Sequence, residues 1–110
     1  MYYLYILFSA KHDKYYIGHS NSPYERVNHH NSDEKNTYTS KYRPWELAAI
    51  FEVGGTRSDA LTIERWVKKQ KSRKLLEKLT DPAFVPDRQL AQLVRVPHVR
   101  DYSGGLRFKS

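Results

Sequence analysis

Two short tyrosine motifs near the start of the chain, separated by a polar turn, constrain the fold more than any other feature. The first, Tyr3-Leu4-Tyr5, and the second, Tyr16-Ile17-Gly18, each lie in a run rich in aromatic and β-branched residues. Residues 9–14 between the runs are polar and typical of a turn, so the segment predicts a β-hairpin. Because the two strands of a hairpin are neighbours, we expect Tyr5 and Tyr16 to lie close enough to share one small site.

The residues after the hairpin predict a helix and then a third strand. Ser22, with Pro23 next to it and Glu25 three residues on, is typical of a capping box with proline at the first helical position. A helix is therefore expected over residues 23–30. A polar loop follows, and residues 45–53 predict a strand that ends at a pair of glycines.

Two further helices complete the order of elements. Thr56 is expected to cap the first of them and Ser72 the second. The order strand, strand, helix, strand, helix, helix predicts a small α/β sheet with helices packed against it. We place this domain at residues 1–80 and treat the proline-containing residues 81–110 as a tail of unknown role, with a short helix near residues 87–94.

The composition and charge of the chain indicate its cellular compartment and the class of molecule that it binds. At 110 residues the chain is expected to form one main domain, and the absence of cysteine excludes disulfides and thiolate metal sites. Lysine and arginine outnumber the acids by 19 to 12, which favours a polyanionic partner such as nucleic acid. No apolar run approaches the roughly 20 residues that span a bilayer. The start lacks the basic region of a signal peptide, so we expect a cytoplasmic protein without a membrane partner.

Three side chains on the predicted helices could carry chemistry. Arg26 and His30 are four residues apart and project from one helix face, where a guanidinium suits phosphate oxygens and an imidazole can relay a proton. Glu64 lies within the apolar stripe of its helix, where a carboxylate is costly unless it is paired or coordinated. A hard cation such as Mg²⁺ often uses one or two carboxylates and keeps several waters. The alternatives are a solvated surface for Arg26 and His30 and an ion pair of Glu64 with Lys68.

Basic residues interleaved with tyrosines suit the binding of nucleic acid. Lys41 and Arg43 belong to a loop that also carries Tyr38, and such a loop can neutralise phosphates and stack on unpaired bases. The alternative for each lysine or arginine is a solvated basic surface. Gly18 is either a backbone requirement of the strand end or leaves room for a phosphate, and His19 directly follows it.

Taken in order, these signals resemble the GIY-YIG catalytic domain: Tyr-x-Tyr, Tyr-Ile-Gly, a helix arginine with histidine four residues on, a strand and a helix glutamate. The resemblance covers residues 1–79. Residues 41–47 are especially similar to small stand-alone bacterial members related to the nuclease domain of the excision-repair incision subunit. The first motif departs from the family pattern, since it reads Tyr-Leu-Tyr rather than Gly-Ile-Tyr. The resemblance implies a small three-stranded antiparallel sheet flanked by helices.

The resemblance also implies roles for particular residues. The implied catalytic residues are Tyr5, Tyr16, Arg26, His30 and Glu64. Glu64 is the implied ligand of a single divalent ion, Mg²⁺ or Mn²⁺, and either tyrosine could be the general base. The expected contacts to the substrate come from the residues themselves and not from the resemblance: Gly18, His19, Lys41, Arg43 and Lys68.

The implied activity is a metal-dependent endonuclease that hydrolyses phosphodiester bonds of DNA, with a place in DNA repair or recombination. Nucleic acid, foremost DNA, is therefore the expected partner. The alternative is a non-catalytic nucleic-acid-binding module on the same scaffold, which predicts binding with a steep salt dependence and no cleavage with any divalent ion. A purely structural domain would bind neither phosphate nor Mg²⁺.

Overall fold

An antiparallel sheet of four strands organises the part of the chain that the computed structural model describes, residues 1–32 and 38–96. The strands are β1 (Tyr2–Ser9), β2 (Lys14–Ser20), β3 (Glu46–Gly54) and β4 (Val94–Arg95). They lie in the order β2-β1-β3-β4 across the sheet. The predicted antiparallel sheet is confirmed, with one short strand more than expected. The predicted hairpin is formed by β1 and β2, which pair along their length.

Helices cover the sheet. Among the described residues they are α1 (Pro23–Ser32), α2 (Tyr38–Lys41), α3 (Arg57–Gln70) and α4 (Arg73–Leu79). The single turn of α2 lies where the sequence predicted a polar loop. The predicted caps of α3 and α4 are formed, because Thr56 Oγ1 accepts the backbone N–H of Asp59 at 3.1 Å and Ser72 Oγ accepts that of Leu75 at 3.0 Å. Within this part of the chain no helix has the length and apolar character needed to cross a bilayer.

The central strand β1 is buried on both of its faces. Leu4, Tyr5, Ile6 and Leu7 are each at most 1% exposed. Because successive side chains of a strand point to opposite faces, Leu4 and Ile6 pack under α3, α4 and the segment that precedes β4, whereas Tyr5 and Leu7 pack on the α1 side with Val27. The sheet is therefore a middle layer between two small cores, and Tyr5 belongs to the second of them.

The end of α1 is tied to the start of β3 by one side chain. Asn31 Nδ2 donates to the carbonyl of Trp45 at 2.9 Å, and the N–H of Trp45 donates to Asn31 Oδ1 at 2.6 Å. The indole of Trp45, 1% exposed, donates to the carbonyl of Thr39 at 2.7 Å. The two bonds of Asn31 hold the end of α1 against the sheet. The helix ends at Ser32, two residues beyond the end that the sequence predicted.

The described part of the expected tail packs against the sheet. Leu90 and Leu93 are at most 5% exposed and belong to the core under α3. A short 3-10 helix, Arg88–Leu90, lies within the range where a short helix was expected, and β4 pairs with β3. The remaining tail residues, 97–110, lie outside the described part of the chain. The division of the chain near residue 80 stays a prediction.

Candidate active site

Gly18 makes room for the phenol of Tyr5. The two residues are direct partners across the β1–β2 pair. A Cβ atom at residue 18 would lie 2.6 Å from the Tyr5 hydroxyl oxygen and 2.7 Å from Tyr5 Cζ, so only glycine fits beneath this ring. No described glycine has a positive φ, so a special backbone conformation is not what requires glycine at this position. Gly18 thus decides where a predicted catalytic side chain lies.

The hydroxyl of Tyr5 lies 3.0 Å from Nε2 of His30, in a buried pair of polar groups. Tyr5 is 1% exposed and His30 is 7% exposed. Burial raises the pKa of Tyr5 to about 12, although a hydrogen bond from Arg26 acts in the opposite direction. In this surrounding the Tyr5 phenol holds its proton at neutral pH.

The carboxylate of Glu64 is held by two neighbours. Its side chain is 13% exposed; Oε1 lies 2.5 Å from His19 Nδ1 and Oε2 lies 2.7 Å from Lys68 Nζ. The ion pair with Lys68, one of the alternatives for Glu64, is therefore present. It does not use up the carboxylate, since the two oxygens offer about four lone-pair positions. Glu64 is paired and still has capacity to bind a cation.

One cleft of about 410 Å³ brings together four of the five predicted catalytic side chains, namely Tyr5, Tyr16, Arg26 and Glu64. The other lining residues are Tyr2, Gly18, His19, Ser20, Asn21 and Arg57. Tyr5 and Tyr16 face the α1 side of the sheet, whereas Glu64 comes from α3 on the opposite side. They meet because β2 is the edge strand on this side, so both faces of the sheet open to the same cleft.

His30 lies behind the two tyrosines. Its ring centroid is 4.9 Å from that of Tyr16 and 6.0 Å from that of Tyr5, and it does not line the cleft. A group in this position can orient the phenols and exchange a proton with Tyr5. Since His30 does not line the cleft, we do not expect it to contact a phosphate held there.

Two residues predicted to bind substrate lie away from the cleft. Arg43 Nε donates to the backbone carbonyl of His30 at 2.7 Å, at the end of α1. Lys41 is exposed at the last residue of α2 and does not line the cleft. Of the remaining predicted contacts, Gly18 and His19 line the cleft. Lys68 does not line it but forms an ion pair with Glu64, which does.

Sequence reasoning did not select several polar residues that line the cleft. Ser20 could have been found from the sequence, because residues 16, 18 and 20 of a strand share one face. Asn21 is the first residue after β2, and Arg57 is the first residue of α3, after the turn that follows β3. Their place in the cleft depends on how the chain leaves each strand, for which the sequence carried no signal.

The residues of the cleft fit a cation that is completed by water and substrate. Among the described residues no group of three or more histidine, cysteine, aspartate or glutamate side chains stands ready to hold a metal alone. Glu64 is the one described carboxylate that lines the cleft. Mg²⁺ commonly binds proteins through one or two carboxylates, keeps several waters and takes further oxygens from phosphates. The donor set of the cleft is of this kind.

Comparison with known families identifies the family of this domain. The model of the GIY-YIG catalytic domain matches residues 1–78, which include the hairpin, α1, β3, α3 and the whole lining of the cleft. Comparison with curated proteins gives no match. The match spans well over half of the 110 residues and implies nuclease-type activity on nucleic acid. The resemblance carried by the tyrosine motifs is thus confirmed, and the chain belongs to the GIY-YIG catalytic domain family.

Proposed function

We propose that this protein is an endonuclease that hydrolyses phosphodiester bonds of DNA with the help of one divalent cation, Mg²⁺ or Mn²⁺. The observation that supports this most strongly is the convergence of Tyr5, Tyr16, Arg26 and Glu64 in one cleft. These side chains could bind a phosphate, transfer a proton or hold a cation. They come from three parts of the chain, the β1–β2 hairpin, α1 and α3. An activity of this kind would serve DNA repair or recombination.

Arg26 is the residue proposed to bind the scissile phosphate. It is exposed on α1, lines the cleft and carries a permanent positive charge. Its planar donors can pair with two non-bridging oxygens and stabilise the charge that develops as the phosphate is attacked. Loss of one such preorganised donor lowers the rate by about 10²–10³-fold in comparable sites.

The two phenols are proposed to have different roles. Tyr5 keeps its proton because burial raises its pKa to about 12, so it can donate a hydrogen bond to a phosphate oxygen. Tyr16 is half-buried and lines the cleft, and we assign to its phenolate form the acceptance of the proton from the attacking water, which leaves Tyr16 as the neutral phenol. His30 orients both rings from behind.

Glu64 is proposed to hold the cation, and His19 and Lys68 fix the direction of its carboxylate. When bound there, Mg²⁺ or Mn²⁺ supplies positive charge that polarises the phosphate and offsets charge on the leaving 3′ oxygen. The position of the carboxylate at the open edge of the sheet leaves space for the waters that such an ion retains.

The test is cleavage of a panel of labelled single-stranded, duplex and branched DNA with Mg²⁺ or Mn²⁺. The Glu64→Gln protein should fold like the wild type and lose cleavage by about 10²-fold or more, because the amide binds a hard cation poorly. Glu46→Gln, which removes a carboxylate outside the cleft, should cleave normally. Wild-type activity in Glu64→Gln would reject the site. Binding without cleavage by the wild type under every divalent ion would instead support the non-catalytic module.

A further inference from the structure

A second cavity lies beside the catalytic cleft and shares a wall with it. Its volume is about 430 Å³, and its lining includes Lys14, Tyr16, Tyr38, Lys68 and Lys71. Tyr16 lines both cavities, and Lys68 of the second is paired with Glu64 of the first at 2.7 Å. One molecule could therefore occupy the second cavity and the catalytic cleft together.

The wall of the second cavity carries uncompensated positive charge. Lys14 and Lys71 form no ion pair with a described residue. The acid on this wall, Asp13, is engaged by Arg73 at 2.5 Å. The Lys14 ammonium lies 5.4 Å from the centroid of the Tyr42 ring. Ammonium groups that no acid pairs suit a second backbone phosphate, since lysine and arginine contacts to phosphates supply much of the affinity for nucleic acid.

An exposed aromatic side chain, Tyr38, also lines this cavity. Tyr38 is 47% exposed. Its ring is stacked at 6.3 Å and 30° on that of Tyr16 and lies 6.3 Å from the ring of Trp45 and 4.8 Å from that of Tyr42. The rings behind it hold Tyr38 in place, so it is a rigid platform of the kind on which an unpaired base stacks.

We propose that the second cavity binds one unpaired nucleotide next to the scissile phosphate, with its base on Tyr38 and its phosphate at Lys14 and Lys71. The volume lies within the range of about 300–1,000 Å³ that is typical of small-ligand sites. A base inside a duplex is stacked on its neighbours and cannot offer its face to a protein ring unless it leaves the stack. The substrate is therefore DNA with at least one unpaired nucleotide at the cleavage position. This inference rests on the proposed function for the reaction, whereas binding does not require cleavage.

Fluorescence anisotropy tests the stacking contact. Labelled DNA of about 12 nucleotides is titrated in EDTA, as a single strand, as a full duplex and as a duplex with one unpaired nucleotide. The wild type should bind the single strand and the interrupted duplex more tightly than the full duplex. Tyr38→Leu should weaken binding of the single strand by about 5- to 150-fold, because a base–aromatic stack is lost. Tyr38→Phe keeps the ring and should bind like the wild type.

A second pair of variants tests the phosphate contact, also where Tyr38→Leu fails to fold. Lys71 has φ of 48°, a conformation that asparagine tolerates, so Lys71→Asn removes the charge without backbone strain. It should lower the slope of log affinity against log salt by about 0.7 for the single strand. Lys69→Gln removes the same charge from α3 outside the cavity and should leave the slope closer to that of the wild type.

Three results would overturn the inference: equal affinity for the full duplex and the single strand, unchanged binding by Tyr38→Leu, or equal effects of Lys71→Asn and Lys69→Gln. Because binding is measured without a divalent ion, this proposal and the proposed nuclease fail separately. A wild type that binds as expected and cleaves nothing would contradict the nuclease alone. A wild type that cleaves paired DNA while Tyr38→Leu binds normally would contradict the second site alone.

Discussion

Replacing Gly18 by alanine should displace the Tyr5 phenol and damage the cleft. The new Cβ would lie 2.6 Å from the Tyr5 hydroxyl oxygen, whereas ordinary van der Waals contact begins at 3.4 Å. The ring must therefore shift by about 0.8 Å, the difference between the two distances. It has little freedom to do so, because Tyr5 is 1% exposed and its hydroxyl lies 3.0 Å from His30 Nε2.

The size of the effect follows from two costs. Adding a methyl group to a well-packed core usually lowers the free energy of unfolding by about 1–3 kcal/mol. For a domain of this length that corresponds to a fall in Tm of about 4–12 °C. A shift of nearly 1 Å in a positioned catalytic group can cost about 10²-fold in rate, so we expect cleavage to suffer more than stability.

Urea denaturation, followed by tryptophan fluorescence, and initial cleavage rates measure the two effects on one preparation. Gly55→Ala is the matched control, because no atom lies within 4 Å of a Cβ built there. Its free energy of unfolding should stay within about 0.5 kcal/mol of the wild type. A Gly18→Ala protein with the stability and cleavage rate of the wild type would show that the Tyr5 ring does not depend on the space above Gly18.

Two further predictions concern stability. The free energy of unfolding should fall as pH rises above 10 and lose about 2 kcal/mol by pH 12, because burial raises the pKa of Tyr5 to about 12 in the folded chain, which therefore keeps a proton that the unfolded chain releases. Urea titrations across pH 9–12 should show this loss in the wild type and not in Tyr5→Phe; equal curves would contradict the raised pKa. Asn31→Ala removes both bonds to the backbone of Trp45 and should lower the free energy of unfolding by about 2 kcal/mol. Asn31→Asp keeps the acceptor and should lose less in the same assay, and an unchanged Tm in Asn31→Ala would mean that water replaces both bonds.

The hairpin was predictable because its signals are local. Two runs rich in aromatic and β-branched residues, a polar turn and two tyrosine motifs lie within 20 residues of one another. What the sequence could not supply was the register. A slip of one residue would take Gly18 away from Tyr5 and turn every side chain of β2 to the other face. The reason for the glycine therefore became visible only with the pairing.

The contacts of Glu64 likewise include some that the sequence predicts and one that it does not. Its place in the apolar stripe and its pair with Lys68 follow from helical spacing. His19, which lies 45 residues away along the chain, reaches the carboxylate only because α3 packs across the edge of the hairpin. Arg43 shows the converse, since its charge suggested a phosphate contact while the fold directs it to the carbonyl of His30.

The strand β4 was not predicted, for a reason of length. Val94–Arg95 pairs with Phe51 and Glu52, and two residues are too few to carry an alternating pattern. The pairing places these residues beside β3 and brings the preceding Leu93 into the core. Nothing local distinguishes this segment from other short stretches of similar composition, so its position depends on tertiary contacts.

Tyr5 belongs at once to an internal cluster with Leu7, Val27 and Trp45 and to the wall of the cleft. The Tyr5 hydroxyl in the cleft is therefore the end of a side chain whose ring is part of the core. Heat inactivation and global melting should consequently follow the same curve, with no intermediate that has lost its interior yet still turns over. A change at Tyr5 therefore disturbs its neighbours in the core as well as the cleft. Arg26 is exposed, so a substitution there changes the cleft without opening a cavity in the core.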